Sequence, residues 1–231
     1  MAGPIPLDLL PDTTDISSEG HTLIGGCDLL ELAAEFGTPL FVYDEAHLRS
    51  RCREAVKAFD GNVAYATKAF LCTEMARLAY EEGMNLDVAT GGELHIARKA
   101  NVPGERIVMH GNNKSLEELR MALLEGVGRI VVDSFNELDR LEGLCADLNT
   151  STKILLRVTP GVEAHTHEFV STGQEDSKFG FTVRSGVAEE AVERARSSKN
   201  LELLENLKKW FNFQFEVIYF YNVYGPNQIC T

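Results

Sequence analysis

From residue 63 onward the chain repeats one unit, a short apolar run followed by a helix-patterned segment. The apolar runs begin near Val63, Asn85, Ile107, Arg129 and Lys153, at intervals of about 22 residues. Apolar residues at helical spacing follow the runs. Met75, Leu78 and Ala79 do so after the first, Leu116, Leu119 and Leu123 after the third, and Leu138, Leu141 and Leu144 after the fourth. Ser115 with Glu118, and Ser134 with Glu137, have the S-x-x-E spacing of a capping box and mark two helix starts. Strands that alternate with helices predict parallel strands joined by right-handed crossovers.

Two architectures satisfy that repeat, a closed (β/α)8 barrel and an open doubly wound sheet. The glycine-rich turn that follows the first strand of a dinucleotide-binding sheet is absent, and Lys68-Ala69-Phe70 stands in its place. The balance therefore favours an α/β fold of the (β/α)8 TIM-type barrel. A further helix is expected over 185–199, and a sixth strand over 201–207. The barrel is then incomplete at about six of eight units, since such barrels run to roughly 250 residues. Upstream, residues 1–20 read as a polar, irregular lead-in. A helix is expected at about 27–36, then the breaker Gly37-Thr38-Pro39, then a short strand Leu40-Phe41-Val42-Tyr43. The domain division expected is an N-terminal segment over 1–45, a partial barrel over 46–207 and a divergent tail over 208–231.

Composition narrows the function. The formal charge is −13, from 35 acidic and 22 basic side chains. Such a surface repels phosphate backbones, which argues against nucleic-acid binding and requires a local positive site for any anionic cofactor. The five cysteines form no CxxC pair and lack metal-ligand spacing, so free thiols in a reducing compartment are expected. No basic, apolar secretory leader opens the chain, and no segment approaches the ~20 apolar residues of a membrane span. A cytoplasmic location without membrane attachment is the expectation.

In a parallel barrel, functional groups gather at the C-terminal ends of strands. The first strand reads Val63-Ala64-Tyr65-Ala66-Thr67-Lys68, and alternation puts Ala64, Ala66 and Lys68 on one face. Two small residues there leave room beside a lysine. The second strand carries Asp87 between Leu86 and Val88, and the fifth carries Arg157 between Leu156 and Val158. If these strands are neighbours, Lys68, Asp87 and Arg157 converge on one rim. The bland alternative is a solvated lysine beside a structural Asp–Arg pair, since buried charges are seldom left unpaired. The chemical alternative is a lysine in a partly desolvated site that loses its proton and forms a Schiff base with an aldehyde cofactor.

Four ordered motifs speak for the chemical alternative. Tyr65-Ala66-Thr67-Lys68-Ala69 resembles the Schiff-base motif of the barrel-type pyridoxal-phosphate decarboxylases, and Asp87-Val88-Ala89-Thr90-Gly91-Gly92-Glu93-Leu94 resembles their next block. His110-Gly111-Asn112-Asn113-Lys114-Ser115 resembles the form found in diaminopimelate decarboxylases. So does Leu156-Arg157-Val158-Thr159-Pro160-Gly161-Val162, continuing through His165-Thr166-His167 to Ser177-Lys178-Phe179-Gly180-Phe181. The likeness runs from about His21 to about Asn200. It implies pyridoxal 5'-phosphate as cofactor and Lys68 as its lysine, with Asp87 and Arg157 lining the cofactor site. It also implies decarboxylation of meso-diaminopimelate to L-lysine, a small amino-acid substrate, and a homodimer for the full-length family. The loop from Glu163 to Lys178 would lie over or beside the substrate. A metal site on His165, His167 and Glu168 is disfavoured, because the spacing matches no common zinc pattern.

Beyond Asn200 the sequence departs from that family. Its cofactor-stacking histidine, glycine-rich phosphate segment, ring-nitrogen carboxylate segment and C-terminal β domain have no counterpart here. Phe215 to Pro226 instead resembles a strand-turn block of nucleotide-sugar epimerases and dehydratases, while a Tyr-x-x-x-Lys pair is absent. A junction of two coding fragments would explain this. The rival readings are a truncated or chimeric non-catalytic fragment, and a decarboxylase of ornithine, arginine or a related polyamine precursor. An incomplete barrel would leave sheet edges and apolar faces open, so an isolated chain of this kind is expected to be marginal or aggregation-prone.

Overall fold

The structure is a computed structural model that describes residues 9–159 and 179–204. The described residues fall into two compact units divided at Val63 and Ala64. The first unit opens with three short antiparallel strands, β1 (Asp15–Ile16), β2 (Thr22–Ile24) and β3 (Cys27–Asp28), in the order β1-β2-β3. Within the lead-in expected to be irregular, Asp15–Ile16 forms a strand, and strands of two or three residues leave no periodic signal.

Two helices complete that unit. Helix α1 (Leu29–Phe36) starts at Asp28, whose carboxylate accepts the Leu30 and Glu31 amides and binds His21 Nδ1 at 2.7 Å. It stops at Gly37, whose φ of 83° is open to glycine at little cost. Helix α2 (Glu45–Ala58) is capped by Asp44, which accepts the His47 amide at 3.1 Å and the Thr13 hydroxyl. Residues 40–43 form no strand, contrary to expectation. They are exposed, Phe41 by 85%, and belong to no sheet among the described residues.

The second unit carries the repeat. Its strands are β4 (Ala64–Ala66), β5 (Asn85–Val88), β6 (Ile107–Met109), β7 (Arg129–Val132), β8 (Thr152–Leu156), β9 (Val158–Thr159), β10 (Phe181–Thr182) and β11 (Leu201–Leu203). Its helices are α3 (Thr73–Glu81), α4 (Gly91–Lys99), α5 (Leu116–Leu124), α6 (Phe135–Asp147) and α7 (Val187–Ser197). Six strands form one parallel sheet in the order β11-β8-β7-β6-β5-β4, and β9 with β10 forms a small parallel pair. Each crossover of the large sheet moves to the adjacent strand in one direction. A doubly wound sheet reverses order at a switch point, and none occurs here. The topology is that of consecutive units of a (β/α)8 barrel.

Helix starts follow local chemistry. Ser115 and Glu118 form the expected capping box on α5, and Thr90 with Glu93 forms another on α4. The expected box at Ser134 is only half made. Ser134 accepts the Glu137 amide at 3.3 Å, but the Glu137 carboxylate turns to the Asp133 amide instead. Glu118 also accepts the Gly91 amide at 2.9 Å, tying the start of α4 to the start of α5.

Strand alternation divides the sheet into two faces. Leu86, Val88, Ile107, Met109, Ile130, Val132 and Ile154 are fully sealed on one face, and Leu94, Leu119 and Leu141 of the flanking helices are sealed with them. The other face carries the cluster Val108, Val131 and Leu155, with Leu204 packed against it. Ala66 is in register with Asp87, Asp87 with Val108, and Val131 with Leu155. Asp87 therefore shares the face of Val108, Val131 and Leu155.

Candidate active site

The C-terminal ends of successive strands bring five charged or titratable side chains to this second face. Lys68 follows β4, Asp87 lies in β5, His110 follows β6, Asp133 follows β7 and Arg157 follows β8. His110 stands two residues past Val108 and Asp133 two past Val131, so alternation carries both onto the same face. The charges of both Lys68 and Arg157 act on the Asp87 carboxyl, so the three lie within electrostatic reach of one another.

Lys68 arrives there differently from the sequence expectation. The strand ends at Ala66, and Thr67–Ala69 form a single turn of 3-10 helix. Lys68 is exposed rather than partly desolvated, because the turn lifts it off the strand. The turn is held by the Thr67 hydroxyl donating to Asp87 O at 2.8 Å and by the Tyr65 hydroxyl donating to Phe70 O at 2.7 Å. The first of these bonds fixes the lysine turn directly to the strand that bears Asp87.

Asp87 is buried, and its Oδ1 is sealed from solvent without a hydrogen-bond partner. Burial pushes its carboxyl up to about 7, with the negative charge of Glu93 adding to the effect and Lys68, Arg157 and Lys114 opposing it. His110 donates its amide to Val88 O at 2.7 Å. Burial drives its imidazole down to about 4, and the charges of Arg157, Lys114 and Lys68 push the same way against Asp133. His110 Nδ1 stands 3.8 Å from Asp87 Oδ2. That separation is too long for a hydrogen bond. Because each group is shifted toward its neutral form, the contact between them is not an ion pair.

Arg157 interrupts the strand between β8 and β9. Its amide donates to Val132 O and its carbonyl accepts from the Phe181 amide. Its guanidinium reaches Asp133 Oδ1 at 3.2 Å and lies 4.3 Å over the Phe179 ring. Asp133 Oδ2 accepts the Gly180 amide at 3.0 Å. A Cβ at Gly180, where φ is 70°, would lie 2.6 Å from Arg157 O, so glycine is needed for this close approach. Alternation past Val108 and Val131 is the signal that would have found His110 and Asp133 in the sequence. The loop Glu163–Lys178, with His165, His167 and Glu168, lies outside the described residues, as does the tail segment Phe215–Pro226. Among the described residues no cluster of His, Cys, Asp and Glu could hold a metal ion, four cysteines are free thiols, and no helix is long and apolar enough to cross a membrane.

A lysine just past a strand end, a buried carboxyl and an arginine anchored by Asp133 thus belong to strands of one parallel sheet. The model of the pyridoxal-dependent decarboxylase family, pyridoxal binding domain, matches residues 45–205. The chain belongs to this family. It is 52% identical over 200 residues to the diaminopimelate decarboxylase of Bacillus subtilis (strain 168), covering 84% of this chain and 46% of that protein. It is also 52% identical over 196 residues to that of Mycobacterium tuberculosis (strain ATCC 25618 / H37Rv), covering 84% and 44%. Among solved structures, diaminopimelate decarboxylase from M. jannaschii in complex with L-lysine superposes with a TM-score of 0.74 at 34% identity. That match covers 84% of this chain and 46% of the other. The chain spans about half the length of the curated relatives it matches. The family match brings pyridoxal 5'-phosphate with it as cofactor. The residues present fit such a group in kind, with an exposed primary amine at Lys68 and a buried Asp87 oxygen that has no hydrogen-bond partner.

Proposed function

We propose that this chain supplies the cofactor-binding barrel portion of a diaminopimelate decarboxylase, which converts meso-diaminopimelate to L-lysine. The observation that carries the reading is the placement of Lys68, on a turn pinned to the Asp87 strand, inside a chain 52% identical to enzymes of that name. Residues 46–207 form the cofactor-binding part, 1–45 the preceding segment and 208–231 a separate tail. A cytoplasmic homodimer is part of the same reading.

When bound, pyridoxal phosphate supplies an electron sink for the charge left on the substrate carbon as carbon dioxide departs. The chain's own residues do the rest. Lys68 holds the cofactor aldehyde through its ε-amine. Asp87, with its carboxyl pushed up to about 7 by burial, can hold or release a proton at neutral pH, where a general acid–base group is most effective. His110 stays neutral beside it and adds no charge to the face. Arg157, fixed by Asp133 and Phe179, presents a positive charge to an anionic group of cofactor or substrate. In a chain of net charge −13, that local positive charge is what allows an anion to approach.

The test is release of carbon dioxide from meso-diaminopimelate by purified chain with added pyridoxal phosphate, alongside ornithine and arginine, with Lys68→Ala as control. The reading expects release from meso-diaminopimelate alone, abolished in the control. Preference for ornithine or arginine would replace the substrate. Cofactor capture without turnover of any substrate would leave a binding fragment in place of the enzyme.

A further inference from the structure

Among the described residues Lys114 is a wholly buried lysine, with a side chain 0% exposed. Its ammonium makes two hydrogen bonds and one ion contact, the last to an oxygen that has no hydrogen-bond partner. It donates to Gly111 O at 2.5 Å and Val131 O at 2.8 Å, and it makes an ion contact with Glu137 Oε1 at 2.6 Å. The other Glu137 oxygen accepts the Asp133 amide at 3.2 Å. Asp133 in turn receives Arg157 and the Gly180 amide on its two carboxylate oxygens. One continuous chain of polar contacts thus runs from the His110–Ser115 loop, through β7 and the start of α6, to the Arg157 guanidinium.

Stability alone does not account for this pair. A buried ion pair loses hydration on both partners, and replacing it with well-packed apolar residues is often neutral or stabilising. The geometry has a more specific consequence. Lys114 ties the loop that bears His110 to β7, and Glu137 orients the residue that anchors Arg157. We propose that Lys114 and Glu137 are positioning residues, a buried pair that holds the His110 loop and the Asp133–Arg157 clamp in register with Lys68. The assignment of Lys68 as the cofactor lysine comes from the proposed function, and the inference rests on it for its link to cofactor. Gly111 belongs to the same device. Its φ is 104°, and a Cβ there would stand 2.8 Å from Ala89 O, so the loop can close over Lys114 only with glycine at that position.

The experiment uses the full chain with the double replacement Lys114→Met and Glu137→Leu, which removes both charges and keeps apolar volume. The first readout is ligand-free: the side-chain nitrogen NMR signals of Arg157, assigned by their loss in Arg157→Lys. The second is the pyridoxal phosphate concentration that gives half-maximal borohydride capture on Lys68. The positioning role expects a melting temperature close to the parent's, with the resolved Arg157 signal lost to the solvent-exchanging envelope. It also expects the half-capture concentration to rise about tenfold, the equivalent of one hydrogen bond to a charged group. Retention of the Arg157 signal, or unchanged capture in the folded variant, overturns the proposal. If the double variant does not fold, Glu137→Gln carries the test with the same two outcomes, with Leu138→Ala as an equally destabilised reference that leaves both readouts in place. Failure of the parent chain itself to capture cofactor would sink the functional reading, and the ligand-free Arg157 signal would then decide the positioning role alone.

Discussion

Asp87 and His110 show how burial sets the charge of the candidate site. Each is displaced toward its neutral form, Asp87 up to about 7 and His110 down to about 4. Between about pH 4 and 6.5, native Asp87 keeps a proton that the unfolded chain has released, so its contribution to stability falls as pH rises and is gone above about 7. Native His110 over the same range lacks a proton that the unfolded chain binds, so its contribution rises with pH. The two slopes oppose one another. Urea unfolding at a series of pH values should therefore give a shallow profile for the parent chain. Asp87→Asn should expose a rise of up to about 1.4 kcal/mol per pH unit across that window, and His110→Gln a fall. Equal profiles in all three would mean that neither group is shifted. The Lys114–Glu137 pair predicts a different signature. Removing one partner, as in Lys114→Met, strands a buried charge and should destabilise by about 3–5 kcal/mol, well beyond the double apolar replacement. Matching losses in the single and double variants by denaturant titration would contradict this.

At the scale of elements, the repeat was legible in the sequence because its apolar runs are long and periodic. The expected starts at Asn85, Ile107 and Arg129 coincide with β5, β6 and β7, and those at Val63 and Lys153 fall one residue from β4 and β8. The β9–β10 pair and the N-terminal strands were not legible, since two or three residues carry no period. Lys68 was expected on the strand itself, whereas it sits on a 3-10 turn that depends on Thr67 reaching Asp87 O, a contact across 20 residues of chain. Lys114 and Glu137 escaped notice for the same reason. Their pairing depends on how one loop closes against the next helix, and Glu137 looked like half of a capping box. Two glycines test how tightly successive units interlock. A Cβ at Gly104 would lie 2.0 Å from Glu125 O, and one at Gly128 2.3 Å from Glu105 O. Both obstacles are backbone, so Gly104→Ala and Gly128→Ala should each cost about 1–3 kcal/mol by thermal or urea unfolding. An unchanged melting temperature would show that the turns between units are looser than their geometry. Glu118→Ala, which loses a capping box and the bond to Gly91, should cost about 1 kcal/mol.

For the molecule as a whole, the six parallel strands follow the chain in order, and among the described residues β4 and β11 have one neighbour each. Strand edges without a neighbour can pair with other chains. Exposed Phe41 in the first unit adds apolar surface. Sedimentation of the purified chain should accordingly show concentration-dependent association, and a sharp monomer boundary at all concentrations would argue otherwise. Before any turnover, the sheet must present Lys68 as the amine for an aldehyde cofactor. The most direct measurement is to incubate the chain with pyridoxal phosphate, reduce with borohydride, digest and locate the pyridoxyl group by mass spectrometry, with Lys68→Ala in parallel. Selective labelling of Lys68, lost in the variant, is the predicted result; no labelling, or equal labelling of surface lysines, would contradict it.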